Sequence, residues 1–182
     1  MDRNELIKDH AEIDRLITQW RGQLHKDFRA YRGHVYRVFN YCQVLAKDRA
    51  DSESKIAIAA VFHDMGIWSE KTFDYLEPSV ALAREYLKES QRSSWKDEVS
   101  RMILYHHKVH PYREKDGRLV EVFRRADLVD LTRGGFKFGL DPLFIRKINA
   151  EFPNAGFHRR VLQLSLQCAL RHPLNPLPMV KP

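Results

Sequence analysis

Cysteine is scarce in this chain: Cys42 and Cys168 are the only two in 182 residues, and each lies in an apolar helical pattern. A disulfide framework is therefore not expected, and a reducing, cytoplasmic setting fits best. Long apolar runs are missing as well. No stretch approaches the roughly 20 residues that span a bilayer. The charged start, Met1-Asp2-Arg3-Asn4-Glu5, lacks the apolar core of a secretion signal. Convincing strand alternation is absent. So are internal repeats, interdomain linkers and the blocks of about five or six like charges that mark an interaction tail.

What remains is an ordinary globular composition. Hydrophobic residues make up 43% and charged residues 30%, and the length suits one domain with a real core. A net charge of +7 favours anionic partners such as phosphates, nucleotides, nucleic acid or a membrane surface. The basic residues are dispersed, however, and no nucleic-acid motif is present. Charge alone does not separate those partners from a solvated surface, and it leaves the oligomeric state open.

Apolar residues repeat at helical spacing along most of the chain. Leu6, Ile7, His10, Ile13, Leu16, Ile17 and Trp20 form a first stripe. Gly33 precedes a second helix carrying Val35, Val38, Phe39, Cys42 and Leu45. A third runs from about Ser52 to Met65 and is apolar nearly all round, which predicts a central, buried position. Gly66 is expected to end it as a C-cap. Pro78 suits the first turn of a fourth helix reaching about Ser90. Ser94-Trp95-Lys96-Asp97 resembles a capping box for a fifth, ending at His106 or His107. A sixth is expected from about Arg118 to Leu131, a short one after Asp141-Pro142, and a last one from Pro153-Asn154 to about Arg171. The expectation is an all-α, single-domain helical bundle over residues 1–172. A proline-rich tail, 173–182, cannot continue a helix.

Two strongly polar side chains, His63 and Asp64, sit at the end of the most apolar helix, where burial without a partner is costly. A His-Asp pair is weak evidence by itself. His34 on the second helix and Asp127 on the sixth extend it to a set of imidazoles and carboxylates. Such a mixed set suits Mn, Fe, Co, Ni or Zn in an open site. Four ligands from three helices leave positions for water or substrate.

The pattern His34 … His63-Asp64 … Asp127 resembles the HD-domain superfamily of metal-dependent phosphohydrolases. Gly33-His34-Val35-Tyr36-Arg37-Val38 is similar to that family's first-histidine helix. Ala59-Ala60-Val61-Phe62-His63-Asp64-Met65-Gly66 is similar to its central motif, and Arg125-Ala126-Asp127-Leu128 to its closing aspartate. The resemblance covers roughly residues 30 to 131. It implies an HD-like helical bundle with a divalent metal near its centre. It also implies hydrolysis of a nucleotide or another small phosphate ester, with Asp64 as catalytic residue and ligand at once.

Binuclear members add histidines, and Ile103-Leu104-Tyr105-His106-His107 resembles their paired histidines. A further histidine usually precedes a proline at the next helix start; this chain has Glu77-Pro78 there. Glu77, His106 and His107 are therefore candidates for a second metal or for substrate, giving one ion or two. Glu77 also reads simply as an acid favoured by a helix N-terminus, and His106 as an ordinary histidine. Arg37 and Lys108 head the candidates for substrate phosphate, ahead of Lys71, Arg124 and Arg125, although a solvated surface role competes at each.

One departure concerns the position after Gly66. Many members carry a lysine there, or a glutamate three residues past the aspartate; here Ile67 stands, followed by Trp68. Glu70 or Asp74 are the nearest substitutes. Trp68, Phe73 and Tyr75 either line a pocket or plug the bundle, and Tyr105 and Tyr112 read the same two ways. Two alternatives to hydrolysis follow. One is a di-iron oxygenase of the same fold, using Glu77, His106 and His107. The other is a metal- or nucleotide-binding module that kept the ligands and lost the helper.

Overall fold

The computed structural model describes residues 5–46, 51–72, 74–171 and 179. Among them all regular structure is helical and no strand occurs, so the chain is all-α. Helix α1, Ala11–Gln19, buries Ile13, Leu16 and Ile17 on one face. Its apolar stripe begins earlier in the sequence, at Leu6, but the helix does not. His10 adopts an extended backbone, and its Nδ1 accepts from the Ile13 N–H at 3.3 Å. Upstream, the Asn40 amide accepts from the Ile7 N–H (2.8 Å) and donates to the Ile7 carbonyl (3.0 Å). Backbone groups that a helix would satisfy are satisfied sideways instead.

A short α2, Arg21–Leu24, and a 3-10 turn, His25–Asp27, lead into α3, Phe28–Ala46. Gly33 lies inside α3, not before it. A Cβ there would stand 3.0 Å from the Pro153 carbonyl oxygen, so glycine admits a close backbone approach. Helix α4, Ser52–Phe62, is buried continuously from Ile56 to Phe62, as its all-round apolarity predicts. It ends three residues earlier than expected, which leaves His63 and Asp64 in turns beyond its last residue.

Gly66 is not a left-handed C-cap; it opens a one-turn α5, Gly66–Ser69. Its role is steric. An added Cβ would meet the Tyr75 carbonyl oxygen at 2.5 Å, and the Gly66 N–H donates to Ser79 Oγ at 2.9 Å. Helix α6 spans Leu76–Glu89, and α7 spans Lys96–Tyr105 after a 3-10 turn, Ser93–Trp95. No side-chain cap forms at Ser94; Asp97 and Glu98 occupy the first turn of α7, where the helix dipole favours acids. Helix α8, Arg118–Leu131, has the expected span. Helix α9, Pro142–Glu151, is capped by Asp141, which accepts from the Leu143 N–H at 2.8 Å. Helix α10 covers Phe157–Arg171.

Helix α3 packs along α8 and α4, while α7 closes against α6, α8 and α4. The ends of α4 and α7 thereby meet the flanks of α3 and α8. No helix among the described residues is long and apolar enough to cross a membrane. Of the proline-rich tail, only Met179 is described, and it is buried; the remainder lies outside the described residues, as does Phe73.

Candidate metal centre

Helical spacing aims two residues of α8 inward together. Phe123, Asp127 and Asp130 recur at steps of four and three on its buried face, so both aspartates point at α3. His34 and Arg37, also three apart, point back from α3. His63 and Asp64 arrive from the turn after α4, and His106 and His107 from the turn after α7.

The four residues expected as ligands meet. His34 Nε2 lies 2.8 Å from His63 Nε2, 3.5 Å from Asp64 Oδ2 and 3.7 Å from Asp127 Oδ1. His63 Nε2 is 3.4 Å from Asp64 Oδ2 and 3.8 Å from Asp127 Oδ1. The paired histidines join the same cluster: His106 Nε2 stands 3.4 Å from Asp64 Oδ1, and His107 Nδ1 stands 3.5 Å from Asp127 Oδ2. Two groups of donors close enough to share an ion result, His34–His63–Asp64 and Asp64–His106–His107. Asp64 belongs to both.

Three of the four imidazoles have their outward nitrogen fixed by an acceptor. His34 Nδ1–H donates to Asp130 Oδ2 (2.7 Å), His63 Nδ1–H to the Ala60 carbonyl (2.9 Å), and His106 Nδ1–H to the Ile103 carbonyl (2.6 Å). His107 Nε2 is bonded to the Tyr75 hydroxyl at 2.9 Å. Each bond leaves the opposite nitrogen facing inward, the arrangement by which outer-shell groups orient metal-binding histidines. Asp64 Oδ1 and His106 Nε2 are fully buried and have no hydrogen-bond partner among the described residues, although they face one another at 3.4 Å. Buried polar atoms without partners cost about 1–3 kcal/mol each. A cation between them would satisfy both, so the residues fit a divalent metal.

Burial and charge divide the protons unevenly. Burial works against a charged His34, but hydrogen bonds to Asp130 and Asp64 outweigh it and raise its pKa to about 9. For His63, burial and the neighbouring His34 and His106 outweigh the charge of Asp64 and the bond to the Ala60 carbonyl and lower its pKa to about 3. Burial raises Asp127 to about 6 against the pull of His106 and His34. Asp130 is equally buried, yet its bonds from His34 and Arg37 hold it below the usual carboxylate range. A protonated His34 can thus donate Nε2–H to His63, placing a proton where a cation fits.

Several expected site residues stand elsewhere. Glu77 is exposed in the first turn of α6 and belongs to neither donor group; its acid serves the helix N-terminus. Arg37 is only 1% exposed. Its Nε and Nη2 engage both oxygens of Asp130 and its Nη1 donates to the Phe152 carbonyl, so phosphate contact is not its role. Lys108 follows the paired histidines and is half-buried. Arg124 chelates Glu121 through Nε and Nη2, Arg125 bonds the same carboxylate, and Lys71 is exposed. Ile67 is buried, while Glu70 and Asp74 are exposed. Trp68 packs on Tyr31 at 4.8 Å and donates to Asp27 at 3.1 Å, closing the bundle as a plug. Tyr105 and Tyr112 pair with each other at 5.1 Å.

Sequence reasoning missed Asp130, Tyr75 as a partner of His107, and Phe157, whose ring stacks on His34 at 4.1 Å. Asp130 had a signal: a second acid three residues after Asp127, opposite a basic residue three after His34. Phe157 had none.

With this geometry in view, the HD domain model matches residues 31–132, more than half of the chain. The protein belongs to the HD-domain family. No curated protein and no solved structure matches it.

Proposed function

We propose that the chain is a metal-dependent phosphohydrolase acting on a nucleotide or another small phosphate ester. One observation carries this reading: four imidazoles and two carboxylates converge in a buried cluster whose outer nitrogens are already bonded away from the centre. His34, His63, Asp64 and Asp127 would hold one ion, and Asp64, His106 and His107 a second. A divalent ion there supplies a Lewis acid for the phosphoryl oxygen and lowers the pKa of water.

The chain's own residues do the rest. Tyr31, Trp68, Tyr75 and Phe157 pack around the cluster, keeping it dry and its field strong. Lys108, beside His107, meets the substrate phosphate, and the net charge of +7 attracts anionic esters. Cys42 and Cys168, both buried and unpaired, support a reducing cytoplasm.

Protein loaded with Mn or Co should hydrolyse generic phosphoesters or nucleotides, and Asp64→Ala should abolish the activity. A folded, loaded protein inactive across a broad phosphate panel would count against hydrolysis. The shared position of Asp64 between two donor groups favours a second reading, a di-iron oxygenase. Two irons per chain in protein isolated with its native metal would select it.

A further inference from the structure

Asp130 lies outside both donor groups, yet it is the most heavily bonded carboxylate near them. Its Oδ2 accepts from His34 Nδ1–H at 2.7 Å and from Arg37 Nη2 at 2.9 Å, while Arg37 Nε holds Oδ1 at 2.5 Å. Asp130 and Arg37 are each 1% exposed. A third layer supports them from the end of α9 and the start of α10. The Phe152 carbonyl accepts from Arg37 Nη1 (2.9 Å), and His158 Nε2–H donates to the Asp130 backbone carbonyl (3.0 Å). Phe157 lies on the His34 ring, 16° from parallel. These supports come from residues 152–158, beyond the matched family region.

A buried ion pair gives little net stability over an apolar pair of the same size. What this one provides is direction. Arg37 occupies both carboxylate oxygens and fixes their plane, and only one orientation of His34 then satisfies Nδ1–H. In that orientation Nε2 faces Asp64 and Asp127. We propose that Asp130 is a positioning residue for the metal centre, acting through His34, with Arg37 as its anchor. This rests on the reading of the cluster as a metal centre.

The test compares wild type, Asp130→Asn and the pair Arg37→Met/Asp130→Asn, each titrated with Co2+. The pair removes both buried charges, so its fold is expected to survive even if Asp130→Asn leaves an uncompensated arginine. Affinity at the tightest site should fall by about 10–100-fold in the folded variants, with an altered visible spectrum of the bound ion. In Zn2+-loaded protein, the far-downfield proton resonance of His34 Nδ1–H should vanish from the variants. Those of His63 and His106, bonded to carbonyls, should persist. A folded pair variant with wild-type Co2+ affinity and spectrum would overturn the inference, as would loss of all three resonances together. Wild-type protein that binds no Co2+ would instead defeat the metal-centre reading itself.

Discussion

His34 carries the proton that a metal must displace. Held at a pKa of about 9 by Asp130 and Asp64 against the opposing effect of burial, its ring is charged at neutral pH in the metal-free protein. Coordination needs the Nε2 lone pair, so binding at pH 7.5 should release a proton, and apparent affinity should rise about tenfold per pH unit up to about pH 9. Calorimetry in buffers of different ionisation enthalpy reads that proton directly. Identical heats in every buffer would remove it from the account. The same shift has a stability consequence whose sign is fixed. A raised histidine pKa stabilises the fold fully below its ordinary value of 6.5 and ceases to do so as pH climbs through about 9. Thermal midpoints of metal-free protein should therefore decline between about pH 7 and 9, and saturating metal should flatten the decline.

The four candidate ligands were legible from the spaced pattern of His34, His63-Asp64 and Asp127 and its resemblance to a family, the His-Asp pair being weak evidence by itself. The same pattern misplaced Arg37 and Glu77. A basic residue one turn from a ligand reads equally as substrate contact or as anchor, and only the depth of Asp130 decides between them. An acid before Pro78 reads as ligand or as helix-start acid, and exposure decides that.

At the scale of elements, α8 was legible because Leu119, Val122, Phe123, Ala126 and Val129 recur at helical spacing, even with Asp127 and Asp130 on the same buried face, and Gly117 and Thr132 bound it. Helix α1 was not. The bonds from Asn40 to Ile7 that stop it arise from α3, which no local pattern reveals. Gly66 was legible as necessary but for the wrong reason, since the obstacle is the Tyr75 carbonyl brought in by the chain entering α6. Gly66→Ala should accordingly cost about 1–3 kcal/mol by overpacking, seen as a lower urea midpoint with unchanged slope. A cost below about 0.5 kcal/mol would mean the backbone yields there easily. Within α4, Ile58 is fully buried, and Ile58→Ala should cost about 2–5 kcal/mol in the same measurement. A near-neutral result would contradict a central α4.

For the molecule as a whole, the helices matter as a scaffold that converges chain segments far apart in sequence. His34 and Asp130 are separated by 96 positions yet share a hydrogen bond. The all-α class and the family followed from pattern and motif. The closing of the site by Phe152, Phe157 and His158 did not, because those residues carry no signature of their own.

In the proposed centre these segments meet around cation sites that have Asp64 in common. Equilibrium dialysis of folded, metal-stripped protein against Mn2+, Co2+ or Ni2+, followed by elemental analysis, tests this most directly. One or two ions per chain are predicted for wild type, with His107→Ala sparing the first site and Asp64→Ala emptying both. Folded wild-type protein that retains no transition ion would contradict the account.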